Sequence, residues 1–171
     1  MRKPIKGEFP SYYEFYYSYL NDEDVIDLLE KQKEKTIAIF SSLQDSSADY
    51  AYDKNKWTIK ELFGHVIDTE RIFGYRILTF ARNDKNIIAG YEQDDYILYG
   101  KFGNRSIKSL LDEYVNLRMA NIILFKSFSE EELNRKGIAN NNEVTVRAII
   151  HAIAGHEAHH LKILEERYLK S

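Results

Sequence analysis

Three of the chain's five histidines lie within the segment AIAGHEAHHLKIL, residues 152–164. They are His156, His159 and His160. Imidazoles this close together share protons, share a metal ion, or point away from one another. Neutral imidazole is a good ligand for borderline divalent ions. The direction in which each ring points therefore decides which chemistry is available.

The segment has helical periodicity, so each side chain can be placed around the helix at about 100° per residue. Its apolar side chains form one stripe, made of Val146, Ile149, Ile153 and Leu164. His156 and His160 fall inside that stripe, one turn apart. His159 lies on the flank of the stripe, and His151 lies close to the opposite side. The spacing predicts two inward imidazoles and two outward ones.

A third histidine joins the inward pair from another helix. His65 lies at the edge of a second apolar stripe, which consists of Leu62, Val66, Phe73, Ile77 and Phe80. Three neutral imidazoles suit zinc, nickel or a similar ion and leave coordination positions open, as in catalytic sites. The alternative is that each ring is a hydrogen-bonded core residue, and the pattern alone leaves both interpretations open.

The elements that must position these residues are four helices with amphipathic patterns. They are predicted to begin near Asn21 or Asp22, at Thr58, after Ser106 and near Thr145. The first two should end near Leu43 and Ala81, and the fourth should continue almost to the C-terminus. Thr58 and Glu61 form the T-x-x-E of a capping box. The fold class predicted is all-α, an up-and-down or crossover four-helix bundle.

Two connections are longer than a bundle requires. Residues 83–105 follow the second helix, contain three glycines and show no clear helical period. Residues 127–143 follow the third helix and should hold one short helical turn capped by Ser129. Loops of this length are often functional, for example as covers over a site. No repeat or linker interrupts the chain, so residues 1–171 are predicted to form a single domain.

Composition excludes several classes of function. The net charge is −3, the isoelectric point is about 6.0 and no basic stripe is present, so a nucleic-acid partner is not expected. The absence of cysteine excludes disulfides, thiolate ligands and a protein thiol nucleophile. No membrane partner is expected, because no apolar run approaches membrane-spanning length and the N-terminus has no apolar signal region. A cytoplasmic location is the default expectation.

The N-terminal arm is rich in tyrosine, with YYEFYYSYL at residues 12–20. These rings could form an aromatic wall for a substrate. They could also pack across the bundle or against a dimer partner. Packing is the interpretation favoured by the sequence, because buried phenols often find hydrogen-bond partners at interfaces.

Three stretches resemble the DinB-like superfamily of metal-binding four-helix bundles. They are residues 56–78, 90–96 and 145–168, and the N-terminal arm also resembles one branch of the superfamily. The most specific features are W-(T/S)-x-K-E-x-x-x-H, which ends at His65, and G-H-x-x-H-H, which ends at His160. The resemblance covers essentially the whole chain, with the motifs in the expected order.

The resemblance implies one divalent metal per chain, nickel or zinc, held by His65, His156 and His160. His159 matches a recurrent family position but is not implied to be a ligand. A homodimer is also implied. The superfamily includes thiol-dependent S-transferases, such as bacillithiol transferases and mycothiol-dependent isomerases, and proteins assigned as metal-dependent hydrolases.

Three functions follow as hypotheses. The first is a metal-dependent transferase that activates a low-molecular-weight thiol toward an electrophile. The second is a hydrolase that uses metal-bound hydroxide on a hydrolysable substrate, with Glu157 as a proton shuttle. Glu157 could instead orient a histidine. The third is a metal-binding stress module without catalysis.

Two arginines also fall near the predicted interior. Arg76 lies near the stripe of the second helix and Arg118 lies on the third helix. Either guanidinium could bind a carboxylate of the thiol by a bidentate contact. The alternative for each is an internal salt bridge to Glu70, Glu157 or Asp68.

Overall fold

A computed structural model describes residues 1–169, which form a four-helix bundle. The bundle helices are α2 (Val25–Ser41), α3 (Ile59–Ala81), α5 (Ile107–Lys126) and α7 (Val146–Ile163). The shorter elements are α1 (Tyr13–Tyr17), α4 (Gln93–Gly100), α6 (Glu130–Asn134) and an antiparallel hairpin of β1 (Lys136–Ala139) and β2 (Asn142–Thr145). Single turns occur at Ser47–Asp49, Phe102–Asn104 and Leu164–Tyr168. Among the described residues, no helix combines the length and apolar character needed to cross a membrane.

Each bundle helix begins at a side chain that caps it. The capping box of Thr58 and Glu61 is present at α3, and Ser106 and Thr145 cap α5 and α7. These predicted starts are confirmed. Helix α2 begins later than predicted, because the Asp24 side chain accepts a hydrogen bond from the Ile26 amide and so fixes the first turn there.

The long connections contain more structure than the sequence predicted. Residues 83–105 include α4, whose only buried residue is Ile97, so its apolar pattern is weak. Residues 127–143 hold the predicted turn at Ser129 as α6, but they also hold most of the hairpin. Asn140 and Asn141 both have positive φ and form the two-residue turn between β1 and β2. The hairpin therefore depends on a turn signal that the helical periodicity does not contain.

The core has two apolar clusters with a polar layer between them. One cluster includes Leu29, Phe73, Ile77, Phe125 and Ile149, and the other includes Phe40, Phe63, Leu110, Leu161 and Leu164. The polar layer contains buried side chains from all four bundle helices, among them Thr36, His65, Glu70, Arg118, His156 and Glu157. Buried polar groups are costly unless they are satisfied, so this layer must be internally paired or must bind something.

Arg118 connects the four bundle helices through hydrogen bonds. From α5, its guanidinium donates to Glu70 on α3 at 2.8 and 2.7 Å and to Glu157 on α7 at 2.6 Å. It also donates to the Leu29 carbonyl on α2 at 3.2 Å. Burial alone would lower the pKa of Arg118, but Glu157 and Glu70 hold it well above its usual range. Of the two roles considered for Arg118, the structure therefore shows the internal salt bridge, which is formed with Glu70 and Glu157.

We predict that Arg118→Met lowers the free energy of unfolding by about 3–5 kcal/mol, because it leaves two buried carboxylates without their cation. Urea unfolding at pH 7 measures the change. Arg71→Met is a matched control on α3, where the exposed Arg71 pairs with Glu113, and it should cost less than about 1 kcal/mol. Equal losses for the two variants would contradict the central role of Arg118.

Candidate metal centre

His65, His156 and His160 form a buried triad at the centre of the polar layer. One nitrogen of each ring lies within 4.8 Å of the corresponding nitrogens of the other two. The Nε2 atoms of His65 and His156 are 3.0 Å apart. Ligand nitrogens around a tetrahedral ion with bonds of 2.0–2.1 Å are about 3.3 Å apart. The three rings therefore converge on one point, where a single divalent ion could bind them if the more widely separated nitrogens moved closer together.

The protonation state of the triad also fits a metal ion. Burial lowers the pKa of His65 to about 4, with a smaller effect of His159. Burial lowers the pKa of His156 and of His160 well below the usual range, and neighbouring imidazoles add to the effect. Neutral rings have a free lone pair on one nitrogen. The buried Nδ1 of His160 has no hydrogen-bond partner among the described residues. This nitrogen is therefore free to bind a metal ion.

Aromatic rings hold the triad in place. Trp57, just before α3, packs on His65 with ring centroids 4.8 Å apart. The ring centroids of Tyr16 on α1 and Phe73 on α3 lie 5.5 and 6.4 Å from the ring centroid of His156. The capping box at the start of α3 fixes the turn that precedes His65. The rings therefore have apolar neighbours that restrict water and limit their rotation.

The ion cluster beside the triad favours a cation. The cluster of Glu70, Arg118 and Glu157 has a formal net charge of −1, since two carboxylates surround one guanidinium. Glu157 directly follows His156 on α7, and both residues line one small internal space together with Glu70 and Arg118. In a buried site a nearby negative charge stabilises a bound cation more strongly than it would in water.

Glu157 itself is fully engaged in this cluster. One carboxylate oxygen accepts hydrogen bonds from Thr36 at 2.7 Å and Tyr114 at 2.5 Å, and the other accepts from Arg118. Among the described residues, none of its hydrogen bonds goes to a triad histidine. Its contacts are those of a residue that positions α7.

The two remaining histidines on α7 contact the N-terminal arm. His159 is half-buried, and its Nδ1 lies 3.0 Å from the Tyr19 hydroxyl. The prediction that His151 points outward is wrong, since only 3% of the residue is exposed. Its Nδ1 bonds to the Arg147 carbonyl at 2.9 Å, and its ring packs against Tyr17. The arm covers the face of α7 opposite the apolar stripe, which was expected to be exposed to solvent.

Gly155 is the reason the arm can lie so close to α7. A Cβ atom at this position would lie 2.4 Å from the Tyr16 carbonyl oxygen, which is far inside van der Waals contact. The Tyr17 hydroxyl donates to the Ala148 carbonyl at 2.8 Å on the same surface. The arm therefore packs across the bundle as favoured from the sequence, and it also brings Tyr16 to the triad.

Two cavities flank the triad, each of about 280 Å³. The first cavity is lined by His65, His156, Phe73, Arg76, Tyr16 and Tyr91, among others. The second cavity is lined by His160, Trp57, Leu62, Lys56, Asp94 and Tyr168, among others. The three histidines thus face two separate spaces. Each volume lies just below the range of about 300–1,000 Å³ that is typical of ligand sites, so each cavity is suited only to a very small molecule or to part of a larger one.

The long loop contributes to both cavities. Tyr91 lines the first cavity, where its hydroxyl bonds to Thr69 at 2.6 Å, and Asp94 lines the second. Asp95 and Tyr96 of the same loop line neither cavity. Asn140 of the hairpin turn lines the first cavity and was not predicted from the sequence. The only available signal was the Asn-Asn pair, which indicates a turn but not its neighbours.

The fold and the triad together describe a four-helix bundle with an internal site that could bind a metal ion. The chain belongs to the DinB superfamily, whose family model matches residues 28–164. It is 25% identical over 125 residues to OB0413 of Oceanobacillus iheyensis, which is named as a predicted metal-dependent hydrolase. That match covers 71% of this chain and 70% of the relative.

Two solved structures share the fold. YfiT from Bacillus subtilis, described as a probable metal-dependent hydrolase with an unusual four-helix bundle topology, matches with a TM-score of 0.77 and 16% identity over 96% of this chain and 90% of YfiT. The mycothiol-dependent maleylpyruvate isomerase matches with a TM-score of 0.66 and 12% identity. Here the match covers 85% of this chain but only 61% of the isomerase. At these identities the likeness concerns the fold.

We predict that His151 makes the metal-free protein less stable in acid. Burial lowers the pKa of His151 from 6.5 to about 4, so between those values the unfolded chain binds the proton that the native chain excludes. The contribution of His151 is complete above pH 6.5 and falls by about 3 kcal/mol as the pH approaches 4.

His151→Asn tests this, because the amide can still donate to the Arg147 carbonyl but does not titrate. Urea unfolding of the metal-free protein at pH 7, 5 and 4 should give a shallower loss of stability for the variant. If the stabilities of the variant and of the native sequence fall in parallel with pH, His151 is not the cause of the loss of stability in acid.

Proposed function

We propose that this protein is a metal-dependent enzyme that activates a low-molecular-weight thiol toward an electrophile. His65, His156 and His160 would bind one divalent ion, nickel or zinc. The observation that carries the proposal is the buried, neutral triad between two cavities. The name of the mycothiol-dependent isomerase, which shares the fold, supports a thiol as co-reactant.

A divalent ion held by three imidazoles supplies a Lewis acid that lowers the pKa of a thiol or water bound at its open positions. The protein residues have the other roles. Trp57 and Phe73 restrict water near the triad and keep the imidazoles oriented. The Glu70–Arg118–Glu157 cluster fixes α3 against α7 and supplies negative charge that favours the cation. The thiol must come from outside, because the chain contains no cysteine.

The two cavities favour a reaction of two organic molecules. His65 and His156 face the first cavity, and His160 faces the second. One reactant in each cavity would meet at the triad, and binding both reactants would reduce the entropic cost of their encounter. Hydrolysis needs only one organic substrate besides water.

Metal-dependent hydrolysis is the second candidate. It is favoured by the descriptions of OB0413 and YfiT as hydrolases. In that reaction one cavity would hold the substrate and the other would give access to water. Glu157 would act through the position of α7, since its oxygens are occupied by Thr36, Tyr114 and Arg118.

We also propose that the protein forms a homodimer. Exposed apolar side chains on α3 and α5 support this proposal, namely Tyr75, Leu78, Met119 and Ile123. Exposed apolar surface often marks contacts between chains.

We predict that the purified protein binds about one nickel or zinc ion per chain, measured by elemental analysis after gentle purification. His156→Ala should lower the affinity by more than about 100-fold in chelator competition, because loss of a ligand exceeds the 10–100-fold cost of losing a residue that only orients one. His151→Asn, on the same helix but outside the triad, should leave the affinity nearly unchanged. A protein that takes up neither metal would rule out the site.

We further predict that cobalt-substituted protein develops a sulfur-to-metal charge-transfer band when a small thiol is added. Any sulfur signal must come from the added thiol, since the chain has no cysteine. His65→Ala should abolish the band, because two imidazoles on one helix hold the ion too weakly to compete with buffer and thiol.

If metal-loaded protein gives no band with several thiols, the transferase proposal is wrong. Metal-dependent cleavage of esters or amides without thiol would then select the hydrolase. The absence of both reactions would select a metal-binding protein without catalysis.

A further inference from the structure

Arg76 is a buried cation without a carboxylate partner. Only 4% of the residue is exposed, yet it forms no salt bridge within residues 1–169. Its hydrogen bond goes from Nη2 to the Ala89 carbonyl at 3.2 Å, and its Nε has no partner. The guanidinium lies 5.5 Å from the centre of the Phe73 ring. A buried charge is costly unless it is paired, so this side chain lacks the anion that Arg118 obtains from Glu70 and Glu157.

The missing partner can come from the first cavity. Arg76 lines that cavity together with His65 and His156. On α3, Arg76 follows His65 by eleven residues, which places their Cα atoms about 16 Å apart along the helix axis. Helical side chains lean toward the N-terminus, so the guanidinium extends back toward the triad. One small molecule can therefore reach both the arginine and the metal centre.

The surroundings of Arg76 suit a carboxylate. The Thr69 and Tyr91 hydroxyl pair and the Asn140 amide provide hydrogen-bonding groups in the same cavity. The carboxylate that lines it, that of Glu92, belongs to an exposed residue and forms no salt bridge with Arg76 within the described residues. The planar guanidinium matches a carboxylate through two parallel hydrogen bonds.

We infer that the first cavity is an anion subsite in which Arg76 binds the carboxylate of a reactant whose reacting atom lies at the histidine triad. The reaction assigned to that reactant rests on the proposed function. The binding of the carboxylate does not, because Arg76 and the cavity wall are independent of any metal. The substrate class is therefore a small organic acid that carries a metal-binding or electrophilic group at its other end.

The test compares acids with their amides. Cobalt-substituted protein is titrated with 3-mercaptopropionate, 6-mercaptohexanoate and the corresponding amides, and the charge-transfer band gives each Kd. At one chain length or both, the acid should bind at least about tenfold more tightly than the amide, as expected for a charge-assisted pair. Arg76→Met should abolish this preference without changing the cobalt content or the Kd of the amide, and Arg76→Lys should restore part of it.

Arg71→Met is the matched control, since it removes an exposed arginine from the same helix, and it should keep the preference for the acid. If Arg76→Met keeps the preference as well, the subsite is wrong. If no thiol gives a band, the proposed thiol chemistry is wrong, and a second experiment tests the anion subsite without metal or thiol. Metal-free protein is then titrated with hexanoate and hexanamide by NMR. A preference for hexanoate that Arg76→Met removes supports the subsite, and equal binding overturns it.

Discussion

The pairing of Arg118 with Glu70 and Glu157 is the interaction on which the rest of the structure depends. It links α5 to α3 and α7, and the bond to the Leu29 carbonyl adds α2. A fully buried guanidinium tolerates little displacement of its partners, so the axial positions of α3 and α7 are set together. Glu157 is adjacent to His156, and Glu70 lies little more than one turn beyond His65. The same salt bridges that join the helices therefore bring histidines from two of them into one site.

Helical periodicity was sufficient to predict the inward direction of His65, His156 and His160, because α3 and α7 are long and regular. Helical periodicity gave the wrong direction for His151, because a single apolar stripe implies that a helix has only one buried face. Helix α7 is covered on a second face by the N-terminal arm, and the close approach at Gly155 is visible only when both segments are placed. The direction of a side chain could be predicted from the sequence, but what covers it could not.

The two arginines show a second limit of the sequence. Arg76 and Arg118 both fall near the interior, and the same alternatives applied to each. Their difference arises from tertiary geometry, since both nearby glutamates converge on Arg118 and leave Arg76 facing a cavity. Likewise, the turn at Asn140 could be recognised only as a turn, because its place beside Tyr91 depends on the pairing of residue 88 with β1. Contacts between loops distant in sequence are not encoded in the periodicity of either one.

The wall of the first cavity has a consequence for how such a protein can evolve. Its floor belongs to α3 and α7, but Tyr16, Tyr91 and Asn140 come from the arm, the long loop and the hairpin, which lie outside the four bundle helices. Replacements in these three segments can reshape the cavity without touching the salt bridges that hold the triad. The shape of the cavity and the arrangement of the histidine triad thereby depend on different parts of the chain. Replacement of these surface segments can therefore change which small molecules fit the cavity, at little cost to the stability of the core.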